Sequence, residues 1–269
     1  MKIQFLLERF NNFLTPKRMR YSWIVGGCLW LGWVFSIIAG KGNADLFGTL
    51  IGTDFSAFYT AAKIMLAGNS SNLYDLNTAY LIQQELHNAQ SQGLTLFLNP
   101  PHFTLLMAPF GLLPYFPSVI IWIILGILCL WFSIKLLNPG NNLRIFLLTL
   151  TWLPVFSAVS FGQNTFLTLL FFCLTYHFWS RKKFLISGLI FSLLLYKPQF
   201  LLFVGFLWLL STRKYIRALI GLGIGIATQI GINILLFPEA SINYINYMKN
   251  VAPILTSMPG FPVWNTFSV

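Results

Sequence analysis

The sequence predicts an all-α polytopic membrane protein, and three observations lead to that class. Of the 269 residues, 57% are hydrophobic and only 9% are charged, whereas charged residues make up about 25% of an ordinary globular chain. The mean hydropathy is +0.72. Several apolar runs also reach the roughly 17–25 residues that cross a bilayer as a helix.

The basic residues lie where a membrane protein needs them. A net charge of +11 would by itself fit a nucleic-acid-binding protein. The lysines and arginines instead form short clusters between apolar runs, which is the arrangement that orients helices in a membrane. We therefore expect membrane lipids, and no nucleic acid, as partners. The three cysteines lie inside apolar runs without metal-ligand spacing, so we expect inert thiols and no metal site.

The first 39 residues predict an anchor and a span. Residues 1–20 carry five lysines and arginines and a rough helical stripe of apolar residues, a pattern typical of an amphipathic helix on the membrane surface. Residues 21–39 are apolar throughout and predict the first span. Because the cations precede this span, we expect the N-terminus to stay in the cytoplasm.

Residues 40–100 then predict a large external loop that carries amphipathic helices. One helix is expected from Phe55 to Leu66 and a second from Asn77 to Ala89, with Asp75 as the N-cap of the second. Neither is apolar enough to span a bilayer. Both are therefore expected to lie along the membrane surface.

Residues 101–113 form an apolar run bounded by prolines. As a helix this run is under about 20 Å long, too short for a hydrocarbon core of about 30 Å. It predicts a re-entrant helix that dips into the outer leaflet. Full spans are expected at residues 118–137, 143–160 and 165–179.

The next apolar run, residues 184–210, is interrupted by Tyr196-Lys197-Pro198-Gln199. If the chain reverses there, each arm is about 20 Å long and the turn lies below the membrane surface. Irregular backbone at that depth is tolerated only beside protein or a water-filled cavity. Residues 216–237 predict the last span, and residues 238–269 a polar external tail.

The positive-inside rule orders these segments. With residues 101–113 and the Lys197 turn both re-entrant, thirteen of the seventeen lysines and arginines fall on the cytoplasmic side. Four polar segments then meet at the external face, and the tail joins them. These segments are the Asp54 region, the Asn99-Pro100-Pro101-His102 entry, Phe161-Gly162-Gln163-Asn164 and the Lys197 turn.

An ordered set of motifs links these segments to a known family. The motifs are Thr53-Asp54-Phe55 with Tyr59, Ala61-Ala62, Gly68 and Leu73-Tyr74-Asp75; Asn99-Pro100-Pro101 with Leu105-Leu106, Pro109 and Leu113-Pro114; Gly162-Gln163-Asn164 with Leu167; Arg181-Lys182 with Gly188; and Lys197-Pro198. In this order they resemble glycosyltransferase family 87, the polyprenyl-phosphate-mannose-dependent mannosyltransferase-like proteins of the GT-C class. The resemblance covers about residues 20–269 and implies one GT-C-like transmembrane helical bundle over residues 21–269.

The chain departs from the family pattern in two ways. Asn99, not an aromatic residue, precedes the Pro-Pro pair. Family members also continue with further spans after the position of Val269, so we expect a C-terminally truncated form.

The resemblance implies transfer of a sugar, expected to be mannose, from a polyprenyl-phosphate donor to an acceptor hydroxyl of a glycan or glycolipid. The reaction would take place at the external face of the cell membrane. Inverting displacement needs one carboxylate near the attacking hydroxyl and a site for the phosphate leaving group. The polyprenyl phosphate leaves as a monoester, so neither a metal nor another cofactor is expected.

Five residues are candidates for this site, each with a simpler alternative. Asp54 is the expected general base, or else only the N-cap of the helix at Phe55. Lys197 is expected to bind the donor phosphate, since a lysine between apolar arms is costly, or else it snorkels to the surface. His102 is expected to bind the donor phosphate or the acceptor, or else it only packs behind the prolines. Gln163 and Asn164 face the donor sugar or phosphate at a helix start, or form a plain polar cap.

Two other function classes fit the composition. A lipid-linked sugar flippase or small transporter would show internal repeats and charges along a pore. No repeat is evident in the sequence, and Lys197 is the one candidate for an intramembrane charge. The second alternative is an inactive membrane scaffold left by truncation.

Overall fold

The computed structural model describes residues 15–86, 93–138, 140, 142–210 and 212–257. Over these ranges the chain forms twelve α-helices, two 3₁₀ turns and no strand longer than an isolated bridge. In chain order the helices are α1 Pro16–Ala39, α2 Thr53–Leu66, α3 Leu76–Leu86, α4 Phe103–Gly111, α5 Tyr115–Leu137, α6 Asn142–Leu150, α7 Leu153–Ser160, α8 Thr165–Ser180, α9 Phe184–Ser192, α10 Pro198–Leu209, α11 Thr212–Leu236 and α12 Pro238–Ser257. The 3₁₀ turns are Ser70–Asn72 and Leu193–Tyr196.

Three helices are long and apolar enough to cross a membrane, namely α1, α5 and residues Tyr215–Leu236 of α11. Counting the bent pair α6 and α7 as one span gives four. The all-α membrane class predicted from the sequence is confirmed. The expected amphipathic helix over residues 1–20 lies mostly outside the described residues, and α1 already begins at Pro16, where Thr15 Oγ1 accepts from the Arg18 N–H at 3.3 Å.

The predicted span over residues 143–160 is not one straight helix, because α6 and α7 meet at an angle of 75°. Pro154 lies in the first turn of α7, and a proline there cannot donate to the carbonyl four residues earlier. That carbonyl belongs to Leu150, and it accepts instead from the indole Nε1–H of Trp30 at 2.8 Å. The helix therefore bends where a side chain of α1 replaces the missing backbone donor.

The chain reverses at Lys197, as the sequence predicted. Phe184, at the start of α9, and Trp208, near the end of α10, both contact the ring of Trp179, each with a centroid distance of 4.9 Å. Phe191 of α9 also lies 5.3 Å from Trp208. A continuous helix would hold residues 191 and 208 about 25 Å apart. Both arms pack against α11.

Glycines allow α9 and α11 to pack backbone to backbone. A Cβ at Gly188 would overlap the Ala218 carbonyl, and a Cβ at Gly221 would overlap the Leu185 carbonyl. Small residues at such crossings are characteristic of helix pairs in membranes, where close packing rather than the hydrophobic effect drives association. This pair holds the Lys197 turn in place.

Helix α2 lies at the centre of the core, and this extensive burial was not predicted from its amphipathic pattern. Nine of its fourteen residues are buried. Small side chains let α4 approach closely, and a Cβ at Gly111 would lie 3.0 Å from Cβ of Ala62. The aromatic ring of Phe55 is fully buried among Phe110, Tyr115 and Trp122.

The segment after α2 matches its predicted cap. Asp75 Oδ2 accepts from both the N–H and the hydroxyl of Thr78, at 2.8 and 2.6 Å. These bonds also lower the pKa of the Asp75 carboxyl below its usual value. Helix α3 ends at Leu86, and the rest of the predicted range, to Ala89, lies outside the described residues.

The predicted polar tail, residues 238–269, is helical over its whole described length, Pro238–Ser257. Pro238 and Glu239 begin α12, where a proline and an acidic residue are both favoured. The helix packs against the segment between α2 and α3, because Tyr244 and Tyr247 each contact the ring of Tyr74 at 5.3 Å. Asn243 Nδ2 also donates to the Ser71 carbonyl at 2.9 Å. Residues 258–269 lie outside the described part.

Candidate active site

Two glycine turns bring Asp54 and Gln163 together. Gly52 precedes α2 with φ +70°, and Gly162 separates α7 from α8 with φ +67°, a backbone region that favours glycine. A Cβ at Gly162 would lie 2.8 Å from Cβ of Phe55. The two turns therefore pack in direct contact, 109 residues apart in the chain.

The first backbone groups of α2 are satisfied by the opposite turn. The N–H groups of Asp54 and Phe55 both donate to the Phe161 carbonyl, at 2.9 and 3.3 Å. The N-cap position is Gly52, which offers no side chain. Asp54 lies in the first turn of the helix and is not its N-cap, so that alternative for its role is wrong. Its carboxylate is left for other partners.

Asp54 and Gln163 form the central contact of the site. Gln163 Nε2 donates to Asp54 Oδ2 at 2.9 Å, and Gln163 Oε1 accepts from Thr165 Oγ1 at 3.1 Å. Burial raises the pKa of the Asp54 carboxyl above its usual value, while the Gln163 bond and the charge of Lys197 oppose part of that rise. The carboxylate is therefore a stronger base than an exposed aspartate.

Lys197 lies at the break between the 3₁₀ turn and α10, where its backbone leaves the helical region with φ −132°. Burial lowers its pKa to about 8, and attraction to Asp54 opposes that shift. No ion pair of 4.0 Å or less joins these two described residues. The cation and the carboxylate therefore interact electrostatically without direct contact.

Tyr196 ties this turn to two other polar segments. Its hydroxyl pairs with Thr168 Oγ1 of α8 at 2.8 Å. Its carbonyl accepts from Asn99 Nδ2 at 3.2 Å, and its ring lies 4.9 Å from that of Phe103. The proline entry, the start of α8 and the Lys197 turn therefore meet at one place.

Asn164 is buried, with 6% of its surface exposed. It occupies the N-cap position of α8, yet its side chain forms no capping hydrogen bond, and its carbonyl accepts from Thr168 Oγ1 at 3.0 Å. The polar-cap interpretation of this side chain is therefore wrong. Its amide is available at the N-terminus of a sixteen-residue helix, where backbone N–H groups favour anions.

His102 belongs to a different cluster. Its backbone N–H donates to Asn233 Oδ1 at 2.8 Å, and Asn233 Nδ2 lies 3.1 Å from His102 Nδ1. Because the amide donates to Nδ1, the ring proton is on Nε2. Burial lowers the pKa of the imidazole, although bonds to Asn233 and Gln229 oppose that shift. These contacts favour the packing interpretation, with His102 as a neutral link to α11.

Sequence reasoning missed the residues that support this site from behind. Trp122 Nε1 donates to the Gly162 carbonyl at 2.8 Å, and the Tyr115 hydroxyl donates to the carbonyls of Ile51 and Gly52 at 2.8 and 3.0 Å. Nothing in the sequence separates Trp122 from the other eight tryptophans. Asn233 and Gln229 could have been recognised from the sequence. Two amides four residues apart in an apolar span form one polar face, and such a face indicates a polar partner inside the protein.

Within the described ranges, no three His, Cys, Asp or Glu side chains cluster as metal ligands. Asp54 at the glycine turns contributes one carboxylate, and Lys197 at its own turn contributes one amine. Such a pair suits proton abstraction beside an anion-binding group.

The comparisons with known proteins identify the family. The model of glycosyltransferase family 87 matches residues 97–260, more than half of the chain. The match includes Gln163, Asn164 and Lys197, whereas Asp54 lies upstream of it. Neither the curated proteins nor the solved structures contain a match to the chain. The chain therefore belongs to glycosyltransferase family 87 and is a membrane glycosyltransferase.

Proposed function

We propose that this glycosyltransferase transfers a sugar, with mannose expected, from a polyprenyl phosphate to an acceptor hydroxyl by inverting displacement. Asp54 acts as the general base. The observation that carries the proposal is the 2.9 Å bond between Gln163 Nε2 and Asp54 Oδ2, with Lys197 acting electrostatically on the same carboxylate. A base, an orienting donor and a cation are the groups that this reaction needs.

The surroundings of Asp54 support its role as base. Because the Phe161 carbonyl takes the N–H groups at the start of α2, the carboxylate is not consumed in capping its own helix. Its raised pKa brings it closer to the operating pH, where general bases are most effective. Gln163 holds one carboxylate oxygen and leaves the other for a substrate hydroxyl.

The surroundings of Lys197 support a donor phosphate site. The amine and the N-terminus of α8 with the Asn164 amide supply a cation and dipolar donors. An inverting displacement needs the base and the leaving group on opposite faces of the sugar ring. Asp54 and Lys197 interact without forming an ion pair, which supports a sugar held between them.

The reaction then balances without another group. The acceptor oxygen attacks the anomeric carbon, and its proton passes to the Asp54 carboxylate. The bond from the anomeric carbon to the phosphate oxygen breaks, and the electron pair leaves with the polyprenyl phosphate beside Lys197. The proposal includes no metal or cofactor, and it takes a glycan or glycolipid as the acceptor.

The proposed site faces the outside of the cell membrane, with the N-terminus in the cytoplasm. The convergence of the Asp54, Asn99 and Lys197 segments supports a single polar face. Arg20 and Arg144 line one pocket elsewhere on the molecule, which supports the assignment of these two basic segments to one common side.

Asp54→Asn tests the proposed base. The amide keeps the shape of the side chain and still accepts from Gln163, but it cannot take a proton. We expect kcat to fall by about 10²–10⁴-fold in a transfer assay with radiolabelled polyprenyl-phosphate mannose and proteoliposomes, with an unchanged melting temperature in detergent.

Asp75→Asn is the matched control, because Asp75 is exposed and asparagine caps helices as well as aspartate does. Turnover of this control should equal that of the unmodified chain. An Asp54→Asn enzyme with near-normal turnover would reject the role of Asp54. If the unmodified chain also shows no transfer, but a chain extended past Val269 does, then further sequence is required for activity.

A further inference from the structure

The break at Lys197 takes the helical hydrogen-bond donor away from the Tyr196 carbonyl. In a continuous helix the Phe200 N–H would donate to that carbonyl. Here the Phe200 N–H donates to the Lys197 carbonyl at 3.1 Å, and Pro198 has no N–H to offer. The Tyr196 carbonyl accepts instead from Asn99 Nδ2 at 3.2 Å. A side chain 97 positions away therefore closes the turn immediately before Lys197.

Asn99 is itself held in place by its surroundings. Its side chain is buried, and its own carbonyl accepts from the Tyr74 hydroxyl at 2.7 Å. The two residues that follow are prolines, whose rings fix the backbone φ angles. Phe103, at the start of α4, packs its ring 4.9 Å from that of Tyr196. The Asn99 amide therefore meets the turn from a fixed position.

The Tyr196 side chain is also anchored, which decides where the turn would move without Asn99. Its hydroxyl pairs with Thr168 Oγ1 at 2.8 Å, and only 4% of the residue is exposed. An unpaired carbonyl in such a buried place is costly. The backbone would move to find another donor, and the movement would fall on Lys197, whose φ of −132° and ψ of 72° already lie outside the helical region.

We propose that Asn99 is a positioning residue that fixes the Lys197 amine at the phosphate site for the sugar donor. The inference rests on the proposed function, in which Lys197 binds that phosphate. Asn99 does not contact the substrate in this role. It acts through its bond to the Tyr196 carbonyl and hence through the backbone of Lys197.

Binding of farnesyl phosphate, a short polyprenyl phosphate, tests the inference without requiring turnover. Isothermal titration calorimetry on the purified chain in detergent gives Kd at pH 7. Lys197→Ala should raise Kd about twentyfold and Asn99→Leu about fivefold, as expected for a charged and a neutral hydrogen bond. Because Asn99 acts through Lys197, the double variant should bind no more weakly than Lys197→Ala alone. Independent effects would multiply to about a hundredfold.

The pH dependence of farnesyl phosphate binding gives a second readout. The Lys197 pKa of about 8 should set the alkaline limb in the unmodified chain. Asn99→Leu lets the amine move toward water, which raises that pKa, so the limb should move to higher pH. A loss of global stability alone would leave the limb where it is.

Gln83→Leu is the matched control. Gln83 is also a buried amide whose Nε2 donates to a backbone carbonyl, that of Thr95, at 2.8 Å. Its replacement should lower the melting temperature and leave both Kd and the alkaline limb unchanged.

The outcomes separate this inference from the proposed function. An unchanged Kd in Asn99→Leu, an equal loss in Gln83→Leu, or a multiplied loss in the double variant would overturn the role of Asn99 and leave the phosphate site intact. An unchanged Kd in Lys197→Ala would reject the phosphate site and the inference with it. If Asn99→Leu does not fold, Tyr74→Phe replaces it in the cycle, because it removes the hydroxyl bonded to the Asn99 carbonyl. That variant should raise Kd about threefold and add nothing to Lys197→Ala.

Discussion

Lys197→Arg should change the shape of the pH profile more than the rate at neutral pH. In the free enzyme burial lowers the pKa of Lys197 to about 8, so its positive charge is present below that pH and is lost as the pH rises through it. At pH 9 about one tenth of the molecules keep the charge, and kcat/KM, which reports the free enzyme, should fall to about a tenth of its plateau. Arginine stays protonated over this range.

The assay measures kcat/KM for polyprenyl-phosphate mannose from pH 6 to pH 10 in proteoliposomes. The Lys197→Arg enzyme should hold its plateau to pH 10, where the unmodified enzyme has lost most of its activity. Lys63→Arg is the control, since Lys63 is exposed and its replacement should leave the profile unchanged. An alkaline limb that is the same with lysine and with arginine at position 197 would refute the assignment.

Two further changes probe the glycine turns. Gly162→Ala should destabilise the protein by about 1–2 kcal/mol, because φ there is +67° and alanine disfavours that region; the new Cβ would also press on Phe55 Cβ at 2.8 Å. Thermal unfolding in detergent measures this loss, and Gly27→Ala, where nothing lies within 4 Å of the new Cβ, should show none. Gln163→Leu should move the acid limb of kcat/KM to higher pH, because the amide donor that lowers the pKa of Asp54 is removed. An unchanged acid limb would show that Asp54 does not set it.

The sequence was most informative where one physical constraint acts alone. Hydropathy located α1, α5 and the last span, since a bilayer requires about twenty apolar residues in a row. The turn at Lys197 was also predicted, because a charge followed by proline cannot continue an apolar helix. Asp75 was recognised as a cap from its position before a helical pattern, and its bonds to Thr78 confirm it.

Predictions from the sequence failed where long-range contacts determine how a helix bends or packs. The break at residues 151–152 depends on Trp30, a residue about 120 positions away that replaces a lost backbone donor. Helix α2 was expected to be amphipathic because its hydropathy is moderate, and its burial in the core was not predicted. Its small residues, Ala61 and Ala62 among them, instead mark a packing face for α4, and composition does not distinguish these two uses of alanine.

The candidate site was predicted in part. The proline entry, the Gln163 turn and the Lys197 turn were expected near Asp54, and the structure brings these segments together. The supporting bond from Trp122 and the link from His102 to Asn233 were not expected. The positions of all the helices determine which packing partner a side chain contacts. The local sequence pattern does not contain that information.

The return of α12 to Tyr74 has a consequence for biosynthesis. Tyr74 packs against Tyr244 and Tyr247, and its hydroxyl donates to the Asn99 carbonyl at 2.7 Å. A ribosome adds about 5–20 residues per second, so Tyr74 is made on the order of ten to thirty seconds before these partners. During that interval its ring has no α12 to cover it. The contacts that tie the Tyr74 segment to the end of the described chain therefore form late in synthesis.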